Sequence, residues 1–248
     1  MSHIGMNRTG ADLSPIDSNE AADYAKEVPP SSSGDEQDAA EVRADYAREA
    51  PSLGSVPPPG TLKGMAKSAV QVIQGKSPST LIDKLGERLA FERTGSRLYE
   101  GLIAKLEGKG SFPGGPTRED LLAIHDEELR HFELVRDAIL RLGGDPTAMT
   151  PAADMMGVAS MGLLQVINDP RTTVAQGLEA ILIAELADND GWEMLIDLAR
   201  SFGQGEIADS FHLARATEER HLELCRRWVA GYMMLDARGE VEEPRKAA

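Results

Sequence analysis

Cysteine is almost missing from this chain: Cys225 is the only one in 248 residues. A lone cysteine excludes a disulfide framework, and it excludes any four-cysteine zinc or iron site within the chain. Basic residues are also in short supply, with 26 Lys and Arg against 41 Asp and Glu and a formal net charge of −15. That deficit speaks against a nucleic-acid partner, because phosphates are bound by clustered Lys and Arg. No apolar run reaches the roughly 18 residues of a membrane span, and Met1 to Gly10 holds no apolar signal core. The expectation is a cytoplasmic protein without a membrane partner. No stretch alternates apolar and polar residues as a half-buried strand does. The length suits one domain with a tail and allows a sizeable core.

Residues 1–60 differ from the rest. They hold 7 of the 14 prolines and carry a net charge of −7, leaving −8 for the remainder. Their apolar residues are sparse and aperiodic, so the segment reads as a disordered acidic arm that cannot offset its ordering entropy by burial. One motif recurs inside it: Ala22-Asp23-Tyr24-Ala25-Lys26-Glu27-Val28-Pro29 returns 22 residues later as Ala44-Asp45-Tyr46-Ala47-Arg48-Glu49-Ala50-Pro51. The copies around Tyr24 and Tyr46 read either as drift in a low-complexity linker or as paired docking sites for a protein partner.

From residue 61 onward the pattern is helical. Thr61 to Gln74 reads as a short amphipathic helix within a 61–78 linker, and a bundle is expected over 79–238 before a flexible tail, 239–248. Ser79 can cap a first long helix to about Leu106. Thr117, with Asp120 three residues on, opens a second helix that ends at Gly143-Gly144-Asp145-Pro146. A third begins near Arg171 and ends at Gly203, and a fourth runs from about Gly205 to Asp236. A shorter piece, about Ala152 to Val166, lies in the long connection between the second and third. The fold class is all-α, and four long helices with one long crossover suggest a four-helix bundle.

Helical spacing picks out an interior seam on each long helix. The second helix presents Leu121, Ile124, Glu128, His131, Val135, Ala138 and Leu142. The fourth presents Ile207, Phe211, Ala214, Glu218, His221, Cys225, Trp228 and Tyr232. Both seams are apolar except for one central Glu-x-x-His pair. The first and third helices each add one central carboxylate, Glu92 and Glu185, with Ser96 and Asn189 four places on. Four carboxylates and two imidazoles thus face inward at mid-height, and the seams contain no basic residue. Unpaired buried carboxylates cost several kcal/mol each and repel one another. Two divalent cations would neutralise four carboxylates and accept the two imidazole nitrogens.

The chain also repeats itself. Glu92 is followed one heptad on by Tyr99-Glu100-Gly101-Leu102-Ile103, and Glu185 by Trp192-Glu193-Met194-Leu195-Ile196; each half then supplies Glu-x-x-His, at separations of 36 and 33 residues. This suggests a helical hairpin repeated about a pseudo-twofold axis.

With Glu92, Glu128-x-x-His131, Glu185 and Glu218-x-x-His221 in place, residues 79–237 resemble the ferritin-like di-iron and di-manganese carboxylate superfamily. A Glu-x-x-His pair in both halves is similar to the rubrerythrin, bacterioferritin and manganese-catalase branches. The resemblance implies two iron ions, or alternatively two manganese ions. In it Glu128 and Glu218 bridge, Glu92 with His131 serves one metal, and Glu185 with His221 serves the other. It also implies reaction with dioxygen or hydrogen peroxide, as a ferroxidase or peroxidase in iron handling or oxidative stress. The alternatives are a dimanganese catalase, a substrate-oxidising oxygenase, or a non-catalytic module that sequesters iron. A homo-oligomer, a dimer or larger, is expected. The chain lacks a rubredoxin module to deliver electrons.

Other chemistry-bearing residues read more plainly. Asp209-x-x-His212 has the same spacing, but His212 lies about half a turn from His221 and has no repeat mate, so it reads as surface. Glu127, Glu133, Glu219 and Glu223 sit off the seams and read as surface too. His125 reads as solvated or as an outer neighbour of the site. Tyr99 is a candidate catalytic residue through a hydrogen bond or electron transfer, with core packing as the plainer role; Trp192 is read the same way. Cys225 reads as a small buried apolar residue, and Met155, Met156 and Met161 as packing.

Overall fold

The computed structural model describes residues 14–28, 36–58 and 78–241, and among them every regular element is an α-helix. The chain divides into two units, Met1–Pro51 and Ser52–Ala248. No helix of the described residues is long and apolar enough to cross a membrane. The short helix expected over Thr61–Gln74 lies outside the described residues, as does the tail from 242 on.

The first unit departs from the expectation of a disordered arm. It contains α1 (Pro15–Glu27) and α2 (Glu36–Glu49). Neither is built on burial: α2 buries no residue, and Tyr24 and Tyr46 are 67% and 70% exposed. Local forces hold them instead. Both are rich in Ala and Glu, and an ion pair three residues apart closes the last turns, Asp23 with Lys26 and Asp45 with Arg48. The two copies of the repeat therefore occupy matching places, each finishing its helix, at Glu27 and at Glu49.

Among its described residues the second unit holds four long helices and two short ones: α3 (Pro78–Lys109), α4 (Arg118–Leu142), α5 (Pro151–Ala159), α6 (Met161–Asn168), α7 (Val174–Ser201) and α8 (Gly205–Ala237). Their ends follow local chemistry. Thr117 and Asp120 form the expected capping box on α4, and Gly143 ends it at φ 85°, a left-handed conformation that suits glycine. Helix α7 starts at Val174 rather than near Arg171, because Thr173 and Gln176 make a second capping box. Ser79 lies inside the first turn of α3, which starts at Pro78. The crossover piece expected over about 152–166 is two helices, parted at Ser160.

Helix α3 packs on α4, α4 on α8, α8 on α7, and α7 on α3, so the contacts close a ring. The crossover helices α5 and α6 lie on α3, and α6 also touches α7. Two apolar clusters fill the interior. One includes Leu85, Leu89, Val135, Trp192 and Phe211. The other includes Leu98, Leu102, Leu121, Leu178 and Trp228. The first draws on the N-terminal half of α3 and α8 and the C-terminal half of α4 and α7, and the second takes the opposite halves. Neighbouring helices therefore run antiparallel, and the mid-helix polar residues are held between two apolar plugs.

The predicted seams are buried with few exceptions, but α3 is buried more widely. Leu81, Arg88, Phe91, Leu98 and Leu102 form a second covered stripe beside Leu85, Leu89, Glu92 and Tyr99. Helix α7 covers this stripe, with Asp188 and Gly191 against Arg88 and Gly177 against Leu102, while the crossover covers a further flank at Gly86 and Gly101. Met156 packs against the core as expected, whereas Met155 and Met161 are 40% and 52% exposed.

Candidate metal centre

All six predicted ligands are buried, and they converge. Glu128, Glu185, Glu218 and His221 bring one ligand atom each within 4.8 Å of one another, and Glu92, His131 and Glu218 do the same. The two groups share Glu218. Each set can hold a metal ion. Glu92 falls with His131 and Glu185 with His221, and Glu128 sides with the second group.

The imidazoles present Nδ1 to the cluster. His221 Nδ1 lies 3.1 Å from Glu218 Oε2 and 3.4 Å from Glu128 Oε1. His131 Nδ1 approaches Glu218 Oε1 to 2.5 Å and Glu92 Oε2 to 3.9 Å, without the alignment of a hydrogen bond. Burial, with the neighbouring His221 next in weight, pushes the His131 pKa down to about 3. It is a neutral base at ordinary pH, the form that binds metal. The edge of its ring meets Trp192, with centroids 5.7 Å apart.

Electrostatics at this spot are severe. Burial, reinforced by neighbouring carboxylates, holds Glu92 and Glu218 well above the usual carboxylate range and raises Glu185 to about 7. Glu92 Oε2, His131 Nδ1, Glu185 Oε2 and Glu218 Oε1 are buried without a hydrogen-bond partner. Buried polar atoms are normally paired, and these four all belong to predicted ligands. Their lone pairs converge in a donor set of carboxylate oxygens and imidazole nitrogens, which suits a divalent metal ion. The residues fit a metal.

The seams hold no basic residue, but one beside the α3 seam reaches the carboxylates. Arg88, 6% exposed, places Nη1 3.2 Å from Glu92 Oε1 and pairs with the buried Asp188. A glycine makes room for it: a Cβ on Gly191 would lie 2.8 Å from Arg88 Cζ. In their ionised forms the Arg88 and Asp188 charges cancel, so the four glutamates still carry the charge that two divalent cations would balance. Gly95 plays a similar part for Glu128, whose Cδ would lie 3.2 Å from an added Cβ.

Glu127, expected at the surface, is a correction. Its Oε2 accepts from His221 Nε2 at 2.7 Å and from Arg220 Nη2 at 2.5 Å. Burial opposes its ionisation, but the hydrogen bonds from His221 and Arg220 prevail and hold its pKa below the usual value. With Nε2–H given to Glu127, His221 keeps the Nδ1 lone pair for the cluster. In the other half the matching position is Thr217, whose hydroxyl bonds Leu213 O, so His131 has no such partner there. For His221 burial lowers the pKa, yet the bonds and charges of Glu128, Glu185 and Glu127 raise it overall.

Tyr99 donates its hydroxyl proton to Glu185 Oε1 and lies 3.7 Å from Cys225 Sγ. Burial, with the charges of Cys225 and Glu185, keeps its pKa well above the usual value, so the phenol stays protonated. Asn189 donates to the backbone carbonyls of Glu185 and Glu218 and ties together the two helices that carry them. Ser96 bonds only its own helix, at Arg93 O. His125 stands apart, near Glu100 and Asp126, and His212 is exposed beside Arg200. Glu133, Glu219 and Glu223 are exposed as expected. Against the centre lies a cavity of about 10 Å³, lined by Gly95, Tyr99, Glu128 and Glu185 with Phe91 and Ile181.

The chain matches no protein-family model, no curated protein and no solved structure. What the centre does must be argued from its own chemistry.

Proposed function

We propose that the four long helices form a ferritin-like bundle around two divalent iron ions, and that the centre reacts with dioxygen or hydrogen peroxide as a ferroxidase or peroxidase. The observation that carries this reading is the set of four orphaned buried atoms on predicted ligands. When bound, such a metal pair supplies two electrons to one oxidant molecule, which avoids release of a one-electron radical.

The chain's own residues prepare the site. Glu92 and His131 hold one side, Glu128, Glu185 and His221 the other, and Glu218 reaches both. Glu127 orients His221, and Asn189 fixes the backbones of Glu185 and Glu218. The apolar clusters above and below exclude water. The cavity of about 10 Å³ beside Glu128 and Glu185 has the volume of roughly one water molecule. It suits a diatomic or peroxide-sized oxidant better than an organic substrate at the metals. Tyr99 holds a proton at Oη against Glu185, so it can donate a hydrogen bond there but cannot act as a base.

The test is anaerobic loading with ferrous iron, followed by a limited amount of peroxide or dioxygen. The reading requires loss of two ferrous ions per peroxide consumed and repeated turnover when ferrous iron is resupplied. Stoichiometric binding without oxidation would favour a sequestering role, and rapid dioxygen release from peroxide in the manganese-loaded protein would favour a catalase.

A further inference from the structure

A second and larger cavity, about 270 Å³, lies between α3 and α7. Thr80, Lys84, Glu87 and Arg88 line it from α3, and Gly191, Met194, Leu195 and Leu198 from α7. We propose that it binds a small amphipathic carboxylate, with the carboxylate on Arg88 and the apolar body against Met194, Leu195 and Leu198.

Arg88 is the anchoring group. The guanidinium is 6% exposed, yet its hydrogen bond to Glu92 and its closest approach to Asp188 both leave from Nη1. Neither Nε nor Nη2 makes a hydrogen bond to a described residue. Arginine carries five donors, and these two pairings draw on Nη1 alone. The Nε–Nη2 edge is a planar fork that matches the two oxygens of a carboxylate. Gly191 brings that fork to the cavity: a Cβ there would overlap Nη2, and Gly191 is itself part of the wall.

The rest of the lining selects the other half of the ligand. Met194, Leu195 and Leu198 give an apolar wall, which a bare inorganic anion would not use. The volume falls just below the range of about 300–1,000 Å³ that suits drug-sized ligands, so a molecule near the size of hexanoate or benzoate fits. Lys84 and Glu87 pair with each other on the same wall and leave it no net charge, so Arg88 is the group left to select a carboxylate.

The internal repeat shows that the bundle does not require this feature. The repeat mate of Arg88, four residues before the other half's central glutamate, is Ile181, and the mate of Gly191 is Leu98. The arginine and glycine that meet across α3 and α7 are therefore not repeated at the symmetry-related place and are an addition to the shared pattern. The proposal rests on the cavity and on Arg88, and it stands whether or not the centre holds metal.

The test is calorimetric titration of the full chain with hexanoate and benzoate, each against its carboxamide, with tryptophan fluorescence as a second readout. Trp192 suits that readout because its ring centre is 5.4 Å from Arg88 Cζ. One site per chain is expected, with the acid at least about tenfold tighter than the amide. Arg88→Lys keeps the charge, removes the fork and should erase that preference. Arg88 also supports Glu92, so Met194→Glu is the safer variant: Met194 is 68% exposed, and the change puts a like charge on the wall without disturbing the core. It should weaken the acid about tenfold with helicity unchanged. Equal affinity for acid and amide, undiminished binding by Met194→Glu, or no saturation would overturn the proposal. Metal uptake without carboxylate binding would sink this site alone, and the reverse result would sink only the metal reading.

Discussion

Gly95→Ala separates the stability of the helix from the integrity of the centre, because the two should move in opposite directions. Gly95 lies inside α3, where alanine is preferred over glycine by about 0.5–1 kcal/mol. An added Cβ would overlap Glu128 Oε2 and lie 3.2 Å from Cδ. The obstacle is the end of a side chain rather than backbone, so the metal-free protein relieves it by swinging the carboxylate aside. It should keep its stability or gain a few tenths of a kcal/mol. The swing takes Glu128 out of the donor set it makes with Glu185, Glu218 and His221. Displacing one ligand should weaken metal binding by at least the roughly 10- to 100-fold seen when a ligand's supporting partner is lost, or about 1.4–2.7 kcal/mol. Gly157→Ala is the control: it is also helical and a Cβ there meets nothing within 4 Å, so it should raise stability without touching affinity. The assays are denaturant unfolding of the metal-free proteins and competition titration with ferrous iron or manganese. Wild-type metal affinity in Gly95→Ala would refute the role given to Glu128.

Glu127→Gln retains the size of the side chain but weakens its hold on His221 Nε2. It should lower metal affinity by about 10- to 100-fold with little change in fold, whereas Glu133→Gln, on an exposed residue, should do nothing measurable. Metal-free stability should fall between about pH 6.5 and 8, as followed by unfolding midpoints. Glu92, Glu185 and Glu218 bind protons more tightly in the folded chain, so their contribution is full below about pH 4.5 and is lost as pH rises through their raised values. His131, lowered to about 3, contributes in the opposite sense, but only up to its ordinary value of 6.5; a flat or rising profile above that pH would contradict the buried carboxylates. Thr117→Ala removes the capping box of α4 and should cost about 1 kcal/mol in unfolding free energy while leaving metal binding intact.

The long helices and the six buried residues of the cluster were legible because each depends on one helix at a time. A 3–4 spacing locates Glu128 and His131 on a buried face whatever packs against it, and Thr117 with Asp120 marks a helix start locally. Arg88 and Asp188 escaped the same reasoning because their burial depends on non-local packing. They lie off the seams, on flanks covered by the crossover or by a partner helix, and no periodicity within α3 or α7 reveals that cover. Glu127 is one residue from a seam ligand and serves the histidine of the opposite half, which only the meeting of α4 and α8 makes visible. One signal was available: glycines at Gly95 and Gly191 inside long helices go against helix propensity and mark places where another side chain needs the space. The helices of the first unit were obscured for a different reason, since an aperiodic apolar pattern argues against burial and not against helix.

The most direct measurement is metal per chain after anaerobic loading, for the wild-type protein and for the Glu128→Ala/His131→Ala variant. Two divalent ions per wild-type chain, lost in a variant whose helicity persists, is the predicted result. A wild-type chain that takes up no stoichiometric metal would contradict the account and leave the buried carboxylates to be satisfied by protons alone.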